Sequence, residues 1–263
     1  MMKTIQDISV CVETDVGLQR PKNEDSYQLV YHNEAGYDVD SFGRMFAVAD
    51  GMGGHAGGEV ASRTACEGLL DYYTGQLETG RNVDPVVAGL RRLEKIIWKI
   101  EKEILRLIEK MPQYGHMGTT LSVLVLLKGH ALIAHVGDSR VYRFRNGALE
   151  QLTEDETMAQ LSVEMGYLRP DEVAGHPLSH VLIQALGQGI EEVHTRIEKV
   201  EAGDIFLLCS DGLYDMVSDK GIHEILDESA VNHGGCGRLV RAAIGNGGRD
   251  NVTVILVQTG QRL

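Results

Sequence analysis

Antiparallel sheets covered by helices, an α+β fold, is the architecture this 263-residue chain predicts. Three observations lead there. Strand-like and helix-like segments come in blocks (strands, helices, strands, helices, a last strand), which excludes a doubly wound parallel sheet. Segments such as LSVLVLL at 121–127 are apolar at nearly every position, as in sheets buried on both faces. Glycine is frequent, at 31 residues, and proline scarce, at 5, which fits many tight turns between strands.

Each element has its own signal. Residues 8–14, 26–32 and 44–49 read as strands, the last ending abruptly at Asp50-Gly51. Two helices follow. The first, 58–73, puts Ala61, Ala65, Leu69 and Tyr72 on one face. The second opens with Asp84 as N-cap and Pro85 at the first helical position. Val86, Leu90, Leu93, Ile97, Ile100, Ile104 and Leu107 then recur at spacings of three and four, an amphipathic helix of up to about 39 Å that Pro112 ends. Trp98 lies beside that stripe and reads as packing.

From Gly118 the period changes. TTLSVLVLL, ALIAHVG, RVYRFR and ALEQLT read as an antiparallel meander, with Lys128-Gly129 and Asn146-Gly147 as turns between pairs. Residues 153–180 are polar, with no clear period, and read as a functional flap. Strands resume at 194–200 and 204–209. Short helices are expected at 219–229 and 235–244, and a final strand at 251–258. No repeat, low-complexity tract or linker interrupts the chain, so one domain spanning 1–263 is expected.

Charge and cysteine usage narrow the function classes. The formal net charge is −13, which disfavours binding to a nucleic-acid backbone. Cys11, Cys66, Cys209 and Cys236 form no C-x-x-C pair, and Cys11 and Cys209 lie in apolar runs as small core residues. Neither a cysteine zinc site nor a disulfide framework is expected. The N-terminal MMKTIQDISVCVETD carries charges too early for a signal peptide. No apolar run approaches the roughly 20 residues that span a bilayer. The expectation is a cytoplasmic protein with no membrane contact.

The acidic residues carry the chemistry. Asp50, Asp138 and Asp211 each end an apolar strand. Asp250 stands just before NVTVILV, and Glu24 and Asp25 just before SYQLVYH. A sheet can gather such positions at one rim. Bare carboxylates packed there repel by roughly 4 kcal/mol per close pair at an effective dielectric of 20. Hard divalent cations such as Mg²⁺ or Mn²⁺ remove that repulsion and prefer oxygen ligands.

The segments TDVGLQRPKNEDS (14–26), VADGMGGHAGGE (48–59), GDSR (137–140), SDG (210–212) and GRDNVT (248–253) together resemble the ordered motifs of PP2C-type (PPM) serine/threonine phosphatases in their bacterial form. The resemblance runs from residue 14 to about 257. It implies a four-layer α-β-β-α sandwich, two antiparallel sheets flanked by helices. It implies metal-dependent hydrolysis of phosphoserine and phosphothreonine in proteins, with two or three Mn²⁺ or Mg²⁺ per chain. Asp50, Asp211 and Asp250 match the ligands of the catalytic cation pair, with the Gly51 carbonyl. Glu24 and Asp25 match the acidic pair that supports the second cation, directly or through water. Asp138, with Asp211, matches a third-cation site, and Arg20 matches the phosphate-binding arginine.

Those roles are physically coherent. Water shared by two cations is acidified toward hydroxide near neutral pH. A guanidinium can hold two phosphate oxygens in a fork. The general acid is less defined by the motifs. Eukaryotic members place a histidine where Met52 stands, so His55, the nearest histidine, is the candidate, with a structural role as the alternative. His116 and His135 read as packing or solvent groups, and Glu156 and Glu164 as solvated charges. The expected partners are phosphorylated Ser/Thr proteins and a cognate bacterial Ser/Thr kinase, with the chain itself a monomer. Two other readings compete: an inactive phosphoprotein-binding module, and a hydrolase of small phosphate esters.

Overall fold

The structure, a computed structural model, describes residues 8–33, 36–53, 57–75, 83–228 and 234–260. The chain opens with β1 (Ile8–Asp15), β2 (Ser26–Val30), a helical turn α1 (Val39–Phe42), β3 (Arg44–Ala49) and the two-residue β4 (Gly51–Met52). The helical block is α2 (Gly57–Gly68), prolonged by a 3₁₀ segment to Tyr73, and α3 (Pro85–Lys110). Then come β5 (Gly118–Thr119), β6 (Leu121–Leu127), β7 (His130–Val136), β8 (Arg140–Arg145) and β9 (Ala148–Gln151). After α4 (Met158–Glu164) follow β10 (His194–Lys199), β11 (Ile205–Cys209), α5 (Asp211–Tyr214), α6 (Asp219–Glu228), α7 (Gly235–Gly245) and β12 (Val252–Thr259).

Two five-stranded antiparallel sheets form the centre. One has the order β1-β12-β11-β8-β9, the other β10-β7-β6-β3-β2. Their facing sides interlock through Phe46, Val48, Leu124, Ile133, Phe206, Leu208 and Ile255, all essentially without solvent contact. The outer face of the second sheet buries against α2 and α3, where Leu69, Leu93, Ile97 and Ile104 meet Leu121, Val123 and Leu132. The outer face of the first sheet buries against α6 and α7 through Ile222, Leu226, Leu239 and Val240. The result is the expected four-layer sandwich. Each sheet is covered on both faces, which explains the continuous apolar runs of β6 and β12.

Local chemistry explains the element ends. The Asp84 carboxylate accepts the Val86 N–H at 2.8 Å and Pro85 takes the first helical position, so α3 starts there. Asn146-Gly147 turns the chain from β8 to β9 with both residues at positive φ, 52° and 72°. That is the type I′ pattern whose twist matches a two-strand ribbon.

Two features depart from expectation. Residues 158–164 of the flap form a helix, α4, whose N-cap Thr157 hydroxyl accepts the Gln160 N–H at 3.3 Å. Its seven residues, about two turns, are too few to establish a helical period against the polar residues around them. Cys11 and Cys236 are also joined as a disulfide, contrary to the absence of one expected from sequence. Cys11 lies on the side of β1 that faces α7, and Cys236 lies in the first turn of that helix. Their Cα atoms are 6.2 Å apart, within the range a disulfide bridges. A pairing across 225 residues is a tertiary event that spacing alone does not reveal. Cys209 is a buried thiol, as expected, and so is Cys66.

The bridge closes almost the whole chain into a loop, so it constrains the unfolded state strongly. Cys11→Ser should lower the unfolding free energy by about 2–4 kcal/mol in oxidising buffer and change little under strong reductant. Equal denaturant midpoints for wild type and variant in oxidising buffer would show that the sulfurs are not joined.

Candidate metal centre

The sheets deliver the acidic residues of five separate segments to one rim. Asp50 follows β3, Asp138 follows β7 and Asp211 follows β11, while Asp250 precedes β12 and Glu24-Asp25 precede β2. All but Asp25 line one broad open cleft, together with Arg20 and Gly51.

Backbone and hydroxyl contacts hold this arrangement in place. Asn251 is the main clasp between the two chain segments. Its amide donates to the carbonyls of Val16 and Lys22, each at 2.9 Å, and its Oδ1 accepts the Glu24 N–H at 2.8 Å. Gly17 sits at φ 77°, and a Cβ there would approach the Gly248 carbonyl to 2.9 Å, so only glycine fits this crossing. The Asp50 carbonyl accepts from the Thr119 hydroxyl and the Thr120 N–H, both at 2.9 Å, which leaves the Asp50 carboxylate to face the cleft rim. Gly51 lies against Glu24 and Gly58 so closely that a Cβ would come within 2.5 Å of the Glu24 carbonyl oxygen.

The electrostatics are those of negative charge in excess. Asp25 Oδ2 accepts from the hydroxyls of Ser210 and Thr253, each at 2.7 Å, but its Oδ1 is cut off from solvent with no partner. Asp211 Oδ1 is orphaned in the same way. Burial, then the neighbouring aspartates, push the Asp50 and Asp211 carboxyls far above the ordinary range. The same burial lifts Asp25 to about 6 and Asp138 to about 7. Asp50 is raised further by Asp25, Asp211, Asp138 and Asp250, and Asp211 by Asp138, Asp215, Asp250 and Asp25. Arg20 brings a guanidinium to the Asp250 side of the cluster, and Arg140 lies near Asp138. The Arg20 Nη2 donates to Asp250 Oδ2 at 2.5 Å, and that contact raises the pKa of Arg20.

Orphaned carboxylate oxygens, an all-oxygen donor set and mutual repulsion fit divalent hard cations. Asp50, Asp138, Asp211 and Asp250 could hold them, with Gly51, Glu24 and Asp25 beside them. Two further groups escaped the sequence reading. His180, Asp211 and Asp215 bring one ligand atom each within 4.8 Å of one another, and His180 Nδ1 stands 3.4 Å from Asp215 Oδ2. Asp215 follows Asp211 by one helical turn, a spacing that could have flagged it. His180 comes from the flap and has no such signal.

The remaining histidines divide. His135 is buried, with Nε2 donating to the Glu154 carbonyl at 3.0 Å and Nδ1 facing the Ser122 hydroxyl, and burial lowers its pKa to about 4. It is a neutral structural group, as expected. His55 lies outside the described residues. Glu156 was expected to be a solvated charge but is only 4% exposed, because the flap folds it under the Gly137 turn.

Residues 22–240 match the family model described as protein phosphatase 2C. The chain belongs to the protein phosphatase 2C family. It is 38% identical over 244 residues to the serine/threonine protein phosphatase PstP of Mycobacterium tuberculosis, covering 92% of this chain and 43% of that protein. The chain therefore spans less than half the length of that relative. With the serine/threonine phosphatase stp of Listeria monocytogenes it shares 35% identity over 248 residues, 93% of each chain. The crystal structure of the PstP catalytic domain in complex with two manganese ions aligns with a TM-score of 0.79 at 33% identity, covering 97% of this chain and 99% of that one. Stp1 from Staphylococcus aureus aligns with a TM-score of 0.84 at 28% identity, covering 98% and 97%. These phosphatase 2C structures share the sandwich. Among the described residues no helix is long and apolar enough to cross a membrane.

The raised carboxyl pKa values set a testable sign. A folded-state pKa of about 7 for Asp138, against the ordinary 3.8, means the metal-free fold holds a proton that the unfolded chain releases. That contribution is complete below about pH 4 and is lost as pH rises through about 7. In EDTA, Asp138→Asn should therefore gain stability relative to wild type between about pH 4 and pH 7. Thermal unfolding across that window checks it, and a constant difference would contradict the reading.

Proposed function

We propose that this chain hydrolyses phosphoserine and phosphothreonine in proteins, using two or three Mn²⁺ or Mg²⁺. The observation that carries the proposal is the convergence of Asp50, Asp211 and Asp250, from three distant strand ends, on one cleft that also holds Arg20. Asp50, Asp211 and Asp250, with the Gly51 carbonyl, hold the catalytic cation pair. Glu24 and Asp25 support the second position directly or through water. Asp138 and Asp211 hold a third cation, with Asp215 and His180 at its edge. When bound, the cations acidify water for attack on phosphorus and neutralise charge on the phosphoryl group.

The residues of the chain do the rest. Arg20 binds phosphate oxygens through guanidinium N–H groups other than the one engaged by Asp250. Ser210 and Thr253 keep Asp25 oriented toward the cluster. His55 protonates the leaving alkoxide. The flap bears exposed Met165 and Tyr167, an apolar surface suited to a polypeptide beside the phosphorylated side chain rather than to a small ester. The substrates follow from that: phosphorylated Ser/Thr proteins, and a cognate bacterial Ser/Thr kinase that phosphorylates them. We read the protein as one catalytic domain, a monomer, working in the cytoplasm. In that compartment the Cys11–Cys236 pair is kept reduced, which thiol-trapping in intact cells can check.

Hydrolysis of a phosphothreonine peptide should require Mn²⁺ or Mg²⁺ and stop in EDTA. Asp211→Asn should lower kcat by roughly 100-fold or more, the scale of losing one electrostatic contact to a transition state. In the same assay His55→Ala should lose the basic limb of the pH–rate profile. Peptide binding without metal-dependent turnover would instead indicate a binding module, and an unchanged profile would remove His55 from the acid role.

A further inference from the structure

Glu156 stands at the first stalk of the flap, buried. Its contacts are directed at one place. Oε2 accepts the Gly137 N–H at 2.7 Å, and the Glu156 N–H donates back to the Gly137 carbonyl at 2.8 Å. The Glu156 carbonyl accepts the Ile183 N–H, at 2.9 Å, from the returning stalk of the flap. Oε1 makes no hydrogen bond and lies 3.5 Å from His194 Nε2, with Gln184 nearby. One residue thus ties both flap stalks to the turn between β7 and β8.

That turn has little freedom of its own. Gly137 sits at φ 98°, and a Cβ there would come within 2.7 Å of the Thr120 side chain. The next residue is Asp138, 5% exposed, whose carbonyl accepts the Tyr214 hydroxyl at 3.1 Å. The Asp138 backbone is therefore held from two sides, by Tyr214 at its own carbonyl and by Glu156 at the residue before it. Removing the Glu156 carboxylate would strand a buried Gly137 N–H and free one of those two sides.

We infer that Glu156 is a positioning residue that couples the seating of the flap to the placement of Asp138, and through it to cation affinity at Asp138 and Asp211. The inference rests on the proposed reading that these two aspartates share a third cation. Glu156 touches neither substrate nor cation; it acts through the Gly137 turn. Flap closure over a substrate and occupancy of the third position then favour one another, because both require the same reciprocal hydrogen bonds.

The test is Mn²⁺ titration by calorimetry, with amide hydrogen exchange at Gly137, on wild type and Glu156→Ala, Glu156→Gln and Glu156→Asp. Wild type should show two tighter binding events and a weaker third that Asp138→Ala removes. Glu156→Ala should weaken the third by about tenfold or more, the usual scale for losing a partner that orients a ligand, and speed Gly137 exchange. Glu156→Gln keeps an acceptor for the Gly137 N–H and should stay within about twofold of wild type. Glu156→Asp is one methylene too short to reach and should behave like the alanine variant, so it carries the test if that variant fails to fold. A lower Tm in the Ala and Asp variants, with third-site affinity and Gly137 exchange unchanged, would overturn the inference and leave the function standing. Only two Mn²⁺ in wild type, or a third event that survives Asp138→Ala, would overturn the third-cation reading and the inference with it.

Discussion

Carboxylates crowded out of water repel, and the rim of this sandwich is arranged around that repulsion. Burial and neighbouring charge push Asp50 and Asp211 far from their ordinary pKa, and Asp25 and Asp211 each keep an oxygen with no partner. A fold selected only for stability would not gather such groups at one place. They are tolerated here because the surrounding structure fixes them: Asn251 clasps two segments, Thr119 and Thr120 anchor Asp50, and Ser210 and Thr253 hold Asp25.

The four layers supply the rigidity behind those clamps. Inter-sheet packing through Phe46, Phe206 and Ile255 fixes strand ends relative to one another, so residues about 200 apart in sequence meet reproducibly. Helices α2 and α3 on one side and α6 and α7 on the other cover the central strands of the two sheets. The flap is attached differently. Arg140 reaches from β8 to Asp155 with two donors, at 2.8 and 2.6 Å, and stacks on the Tyr214 ring with 3.6 Å between the guanidinium carbon and the ring centroid. That half-buried ion pair, together with Glu156, ties the base of the flap to the segments carrying Asp138 and Asp211, while its tip exposes Met165 and Tyr167.

Much of this was legible in the sequence because local rules and tertiary needs agree. The alternation of turn residues with apolar runs located the strands to within a residue or two, and Asp84-Pro85 marked the start of the long helix. The acidic residues were conspicuous because each stands at a boundary between an apolar strand and a turn. What stayed hidden depends on contacts between distant segments. Neither Cys11 nor Cys236 has a sequence neighbour that hints at pairing, and nothing in the polar run 153–180 separates the buried Glu156 from the exposed Glu164. His180 joins Asp211 and Asp215 only once the flap has folded back over the rim.

The central claim is spatial, and crystals soaked in manganese test it most directly. Anomalous scattering at the manganese edge should place ions among the side chains of Asp50, Asp211 and Asp250. Density without ions there, and the three carboxylates turned away from one another, would contradict the account.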